Sequence, residues 1–130
     1  MYQQEYYKKA GVELILQPID LCKHCGFVLG NAIKYMLRAD FKDNRDADLR
    51  KALDYLGTAY KDIDESIEEF CRLPPRAIVA AQEFCAKNKF VNTLIGRGVR
   101  EITDTGIRTL IIGKFEIKEC MDLIEDELTK

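Results

Sequence analysis

The stretch DADLRKALDYLGTAYKDIDESIEEF, residues 46–70, decides the fold class. Its apolar residues, Leu49, Ala52, Leu53, Leu56, Ala59, Tyr60, Ile63, Ile67 and Phe70, recur three and four apart. That is the period of one helix face, where a strand would repeat every second residue. Asp46 is a competent N-cap, and Asp48 in the first turn suits the positive end of the helix dipole. A helix continued to Phe70 would extend ~37 Å at 1.5 Å per residue and form the spine of the molecule. Pro74-Pro75 closes it and opens the next element, because two prolines fit a helix start but not a helix interior.

Upstream, Gln17-Pro18 begins a short helix with Pro18 in its first turn, and Gly26 ends it. Phe27 to Asp40 reads as a second amphipathic helix. At 100° per residue Leu29, Ile33, Met36 and Leu37 fall in one sector, and Asn31, Lys34, Tyr35 and Arg38 fall in the opposite one. Phe41 to Arg45, rich in Asp and Asn, reads as a loop. Downstream, Arg76–Asn88 favours a helix. Phe90–Ile102 also reads as helical, although Gly96 and Gly98 interrupt it. Thr103-Asp104-Thr105-Gly106 reads as a turn, and Ile107–Ile112 fits a short buried helix and a lone strand equally. Phe115–Leu128 is helical, with Ile117, Cys120, Met121, Ile124 and Leu128 on one face. The expectation is an all-α domain, residues 1–130, of five or six helices around a central helical hairpin, with residues 71–130 as a helical extension.

The chain has 130 residues, 47% hydrophobic and 32% charged, enough for a core that needs no staples. No apolar run approaches the roughly 20 residues of a membrane span. The start, Met1-Tyr2-Gln3-Gln4-Glu5, lacks the pattern of a secretory signal. Five scattered cysteines, an odd number, point to a reducing compartment, so a cytoplasmic location is expected. Cys71, Cys85 and Cys120 sit in helical-looking apolar stretches, as small core residues do. Cys22-Lys23-His24-Cys25 has the gap of half a zinc site, but the other half is missing, so no metal site is assigned. With 20 Lys+Arg against 22 Asp+Glu the net charge is −2, which disfavours duplex nucleic acid as a partner. Residues 31–51 nevertheless hold six cations (Lys34, Arg38, Lys42, Arg45, Arg50, Lys51) against four Asp, a balance suited to a small anion.

The polar stripe Asn31, Lys34, Tyr35, Arg38 has a counterpart in Asp48, Lys51 and Tyr55. Two helices joined by a short loop can bring such stripes to one edge of their seam. Arg and Lys suit phosphate oxygens, Tyr stacks on a base or donates to an oxygen, and Asn reads a base edge or holds a phosphate. Gly30 leaves room for another backbone to approach. The plain alternative is a pair of solvated faces with no ligand. Gly96-Arg97-Gly98 lacks the Gly-Lys-Ser/Thr ending of a phosphate loop, and the lone imidazole argues against a catalytic triad. Asp62, Asp64, Glu65, Glu68 and Glu69, with Glu116, Glu119 and Asp122, resemble the helical carboxylates by which all-α pyrophosphatases hold magnesium.

Three segments together carry a family resemblance. They are Gln17-Pro18-Ile19-Asp20, then Phe27-Val28-Leu29-Gly30-Asn31-Ala32-Ile33-Lys34-Tyr35-Met36-Leu37-Arg38, then Asp48-Leu49-Arg50-Lys51-Ala52-Leu53-Asp54-Tyr55-Leu56. They resemble the SaV-like family of phage-borne, largely uncharacterised proteins, with Asp40 standing where a Gly often follows the Arg-Ala pair. One podovirus member of that family is a kinase of deoxynucleoside monophosphates that has no Gly-rich phosphate loop. The resemblance implies a phage-encoded nucleotide-handling protein working in the host cytoplasm. Its nucleotide-contacting set would be Asn31, Lys34, Tyr35, Arg38, Lys51 and Tyr55, with no catalytic residue assigned. A kinase would take ATP as donor, with magnesium as its companion. The alternatives are a non-catalytic protein that sequesters a nucleotide of host-defence signalling, or a magnesium-dependent pyrophosphatase. A homo-oligomer with a shared site is expected, because a short helical domain with several apolar edges tends to self-associate.

Overall fold

A computed structural model describes residues 15–41, 44–63, 69–101 and 108–130. These residues form six helices and a small antiparallel sheet: α1 (Ile19–Cys22), α2 (Phe27–Arg38), α3 (Arg45–Asp62), β1 (Glu69–Leu73), α4 (Pro75–Lys87), α5 (Lys89–Ile95), β2 (Val99–Glu101), β3 (Arg108–Ile112) and α6 (Lys114–Leu128). The helical expectation holds, and α2 with α3 forms the most extensive helix pair. No described helix is long and apolar enough to cross a membrane.

In α2 the sector read from the sequence is the buried one: Leu29, Ile33, Met36 and Leu37 all lie in the core. Gly26, at φ 76°, turns the chain from α1 into α2 in a conformation that L side chains rarely adopt. Gly30 permits the close approach expected of it: a Cβ there would stand 2.6 Å from the backbone oxygen of Cys22. Backbone atoms on both sides leave no flexible side chain to yield. Gly30→Ala is therefore expected to cost about 2 kcal/mol by pushing α1 off α2; chemical denaturation would measure it, and an unchanged midpoint would refute the contact.

On α3, Leu49, Ala52, Leu56 and Ala59 are buried as expected. The helix starts at Arg45, with Asn44 before it, so Asp46 lies within the first turn and is not the cap. It also stops at Asp62, with Ile63 already extended, so the long helix to Phe70 is corrected. Residues 69–73 form a strand instead, with Cys71 and Leu73 buried and Arg72 exposed between them, the alternation of a half-buried strand. Asp64, Glu65, Ile67 and Glu68 lie outside the described residues, as do Lys42 and the turn at 103–106.

The sheet has strand order β1-β3-β2, and Cys71 pairs with Leu110, which in turn pairs with Val99. Residues 71–130 are thus not purely helical. Within the ambiguous stretch, Arg108–Ile112 is the central strand, and the helix begun at Lys89 ends at Ile95. Gly96 caps it, and Gly98 serves the sheet that follows: a Cβ there would collide with the Ile111 carbonyl, and Gly98 O accepts from Ile111 N at 2.8 Å. Pro74-Pro75 opens the next element as expected, with Pro74 extended and Pro75 starting α4, but it follows the strand β1 and closes no helix.

Asn88, 5% exposed, joins α2 to α5. Its Oδ1 accepts from Phe90 N and Val91 N at 3.0 Å each, capping α5, while its Nδ2 donates to Met36 O (3.0 Å) and Asp40 Oδ2 (2.9 Å). Burial raises the Asp40 carboxyl above its ordinary range, against the opposing pull of Asn88 and Arg45. Glu127 on α6 accepts from Arg45 (2.8 Å), and its other oxygen pairs with Lys89 and Lys130 (3.3 Å each). These cations hold its carboxyl at about 2. A carboxyl lowered on folding contributes stability above its ordinary value near 4.5, and that contribution disappears as pH falls towards 2. Glu127→Gln is accordingly expected to flatten the acid limb of stability between about pH 5 and pH 2. An unaltered acid limb would show that the three cations add nothing there.

Candidate functional site

The seam between α2 and α3 carries the stripe residues on its outer edge. Tyr35 and Tyr55 lie nearly parallel, with ring centroids 6.0 Å apart and planes 12° apart. Three cations gather on the same Tyr35 ring: Lys51 Nζ at 5.3 Å, Lys34 Nζ at 5.5 Å and Arg38 Cζ at 5.9 Å from its centroid. Five of the six residues expected at the site therefore meet around one phenol. Phe27, one helical turn before Asn31, packs edge-on against Tyr55 at 6.1 Å.

The charges are not equally neutralised. Arg38 Nε lies 3.6 Å from Asp48 Oδ1, too long for a hydrogen bond but an ion pair, and Asp48 is only 4% exposed. Arg38 Nε and Asp48 Oδ2 are both buried without a hydrogen-bond partner. Lys34 and Lys51 have no carboxylate within ion-pair distance among the described residues. Two unpaired ammonium groups at one ring repel each other by on the order of 1 kcal/mol. The aromatic face offsets part of that through cation–π attraction.

The space around this cluster is divided. One pocket, about 360 Å³, is lined by Tyr35, Lys51, Asp54, Tyr55 and Thr58. A second, about 380 Å³, opens between α1 and the first turns of α2, where Asn31 and Lys34 meet Pro18, Ile19 and Phe27. Asn31 is the stripe residue that stands apart from the phenol cluster. Its Nδ2 donates to Phe27 O within the helix at 2.7 Å, which leaves Oδ1 and the second Nδ2 hydrogen for other partners. Phe27 and Asp54 were not among the residues expected at the site. Phe27 shares the four-residue spacing of Asn31 and Tyr35, and Asp54 follows Lys51 by three residues, so helical spacing would have placed both beside the stripes.

The other candidate groups have structural partners. Cys25, on the turn after α1, hydrogen-bonds Cys71 on β1, and that contact together with burial pushes its thiol far up. Burial raises Cys22 to about 12 and Cys120 to about 12, so these thiols are poor nucleophiles near neutral pH. Cys71 is thus a strand residue against Cys25, where a helical setting had been expected. Among the described residues no three His, Cys, Asp or Glu side chains gather as metal ligands would. On α6, Glu119 pairs with Arg97, Asp122 with Lys118, and Glu116 accepts from Gly113 N at the helix start.

Residues 2–57 match the sequence profile of a family described as a protein of unknown function (DUF3310). The matched span covers α1, α2 and most of α3, and with them all six stripe residues. No curated protein and no solved structure matches the chain.

Proposed function

We propose that the protein binds a nucleotide or a similarly phosphorylated small molecule at the Tyr35 cluster. One observation carries the reading: three cations converge on one tyrosine ring, and two of them lack any carboxylate partner among the described residues. Concentrated like charge is unfavourable in the empty site and favourable once an anion neutralises it. Lys34 and Lys51 would grip phosphate oxygens as point charges, Arg38 would add a fork held by Asp48, and Tyr35 and Tyr55 would offer π faces. The finer reading, drawn from the SaV-like resemblance, is a nucleoside monophosphate kinase. There the same cations would offset charge developing on the transferred phosphoryl group, with ATP as donor. Sequestration without turnover is the second reading, because the same cations and phenols would hold a phosphorylated ligand with no reacting group required of the protein. The pyrophosphatase reading is weaker, because Glu116, Glu119 and Asp122 are engaged locally.

Titration calorimetry with a nucleotide panel, followed by a coupled assay of dGMP and dTMP with ATP and magnesium, separates these readings. Turnover supports the kinase. Binding with ligand recovered unchanged supports sequestration, and no binding across the panel overturns the nucleotide reading.

A further inference from the structure

The pocket between α1 and α2 is distinct from the one beneath Tyr55, yet the two share a boundary. Lys34 lines the first pocket and reaches to 5.5 Å from the Tyr35 ring of the second. Phe27 lines the first and touches Tyr55 of the second. Their chemistry differs. The second is walled by Lys51, two phenols and a carboxylate. The first is mostly apolar, built from Pro18, Ile19 and Phe27, with Asn31, Lys23 and Lys34 as its polar lining. Phe27 is 75% exposed and Ile19 44% exposed, a pair of large apolar groups left in water on the lining of a concavity. At about 380 Å³ the pocket falls within the range of small-molecule sites.

We infer that this pocket is the subsite for the nucleobase, and that Lys34 marks the point where base and sugar end and phosphates begin. The inference rests on the nucleotide reading above and assigns its orientation. A planar base would cover Ile19 and stack against Phe27, and Asn31 Oδ1 would accept from a base N–H. From Asn31 to Arg38 the helix rises about 10 Å at 1.5 Å per residue, enough to track a nucleotide from its base to its second or third phosphate. The sequence signal Pro18-Ile19 thereby acquires a role, as one wall of the subsite.

Affinities of dGTP and inorganic tripolyphosphate for the full chain, for Ile19→Trp and for Phe27→Ala test this. The first variant fills the pocket and the second removes its aromatic wall. Both positions are exposed, and retained tripolyphosphate binding reports an intact fold. The expected result has three parts. Wild type prefers dGTP to tripolyphosphate, each variant weakens dGTP at least about tenfold, a change of ~1.4 kcal/mol, and tripolyphosphate stays within about twofold. If dGTP affinity is unchanged in both variants, the base lies elsewhere and the subsite is refuted while the nucleotide reading stands. If tripolyphosphate falls together with dGTP in both variants while their melting temperatures match the parent, the pocket holds phosphates and the orientation is wrong. If wild type binds neither probe, the nucleotide reading itself fails.

Discussion

Replacing Lys34 and Lys51 together by Ala is expected to weaken nucleotide binding by about a hundredfold, roughly tenfold for each charge-assisted contact at a half-exposed site. Thermal stability should hardly change, and this pairing of outcomes makes the prediction discriminating. Neither side chain belongs to the core: Lys51 is exposed, Lys34 half-buried, and neither closes an ion pair among the described residues. Their removal forfeits cation–π attraction of about 0.5–1 kcal/mol each at such positions. It also relieves like-charge repulsion of similar size. The two terms nearly cancel, so the melting temperature should stay within a few degrees of the parent. If the stripes were simply solvated faces, the double variant would keep every ligand response of the parent, and calorimetry would show that directly. A large loss of stability would instead mean that the lysines serve the fold.

The largest expected stability effect lies elsewhere, at Asn88. Asn88→Ala removes the acceptor that caps α5 and the donor that serves the α2 terminus. The Met36 carbonyl is left without its substitute partner, because Asp40 N donates to Leu37 O and not to Met36 O. The lost cap costs about 1 kcal/mol, and the buried carbonyl and carboxylate left underserved cost on the order of 2 more. A loss of about 3 kcal/mol corresponds to a fall in melting temperature on the order of 10 °C for a chain of this size. Asn88→Asp sharpens the test. It keeps acceptors for Phe90 N and Val91 N but discards the donors and sets a second carboxylate beside Asp40, whose own carboxyl burial has already raised. That variant should therefore be defective at neutral pH and recover in part on acidification, as one of the two carboxyls takes a proton. Equal stability of all three proteins would show that the Asn88 bridge is not a working part of the fold.

Much of α2 was legible from its residues. The 3.6-residue period sorted Leu29, Ile33, Met36 and Leu37 from Asn31, Lys34, Tyr35 and Arg38, and Gly30 announced the close pass of α1. Pro74-Pro75 marked the start of α4 because proline's ring constrains the backbone whatever surrounds it. The strand at 69–73 was not legible. Its pairing with 108–112 depends on a partner some forty residues away, and before that pairing its apolar residues merely continue a helical rhythm. The Asn88 bridge is equally non-local, joining residues 52 apart to satisfy Met36 O.

The candidate site divides the same way. Which side chains could serve an anion follows from residue type and spacing along a single helix, and those are local properties of the chain. Whether they share a space does not. The packing of α3 brought Lys51 and Tyr55 onto Tyr35, and the packing of α1 beside Gly30 formed the apolar pocket that Asn31 lines. Helical periodicity sets which face a residue occupies. The neighbour that face meets is set by burial of apolar surface summed over the whole chain, a quantity no local stretch contains.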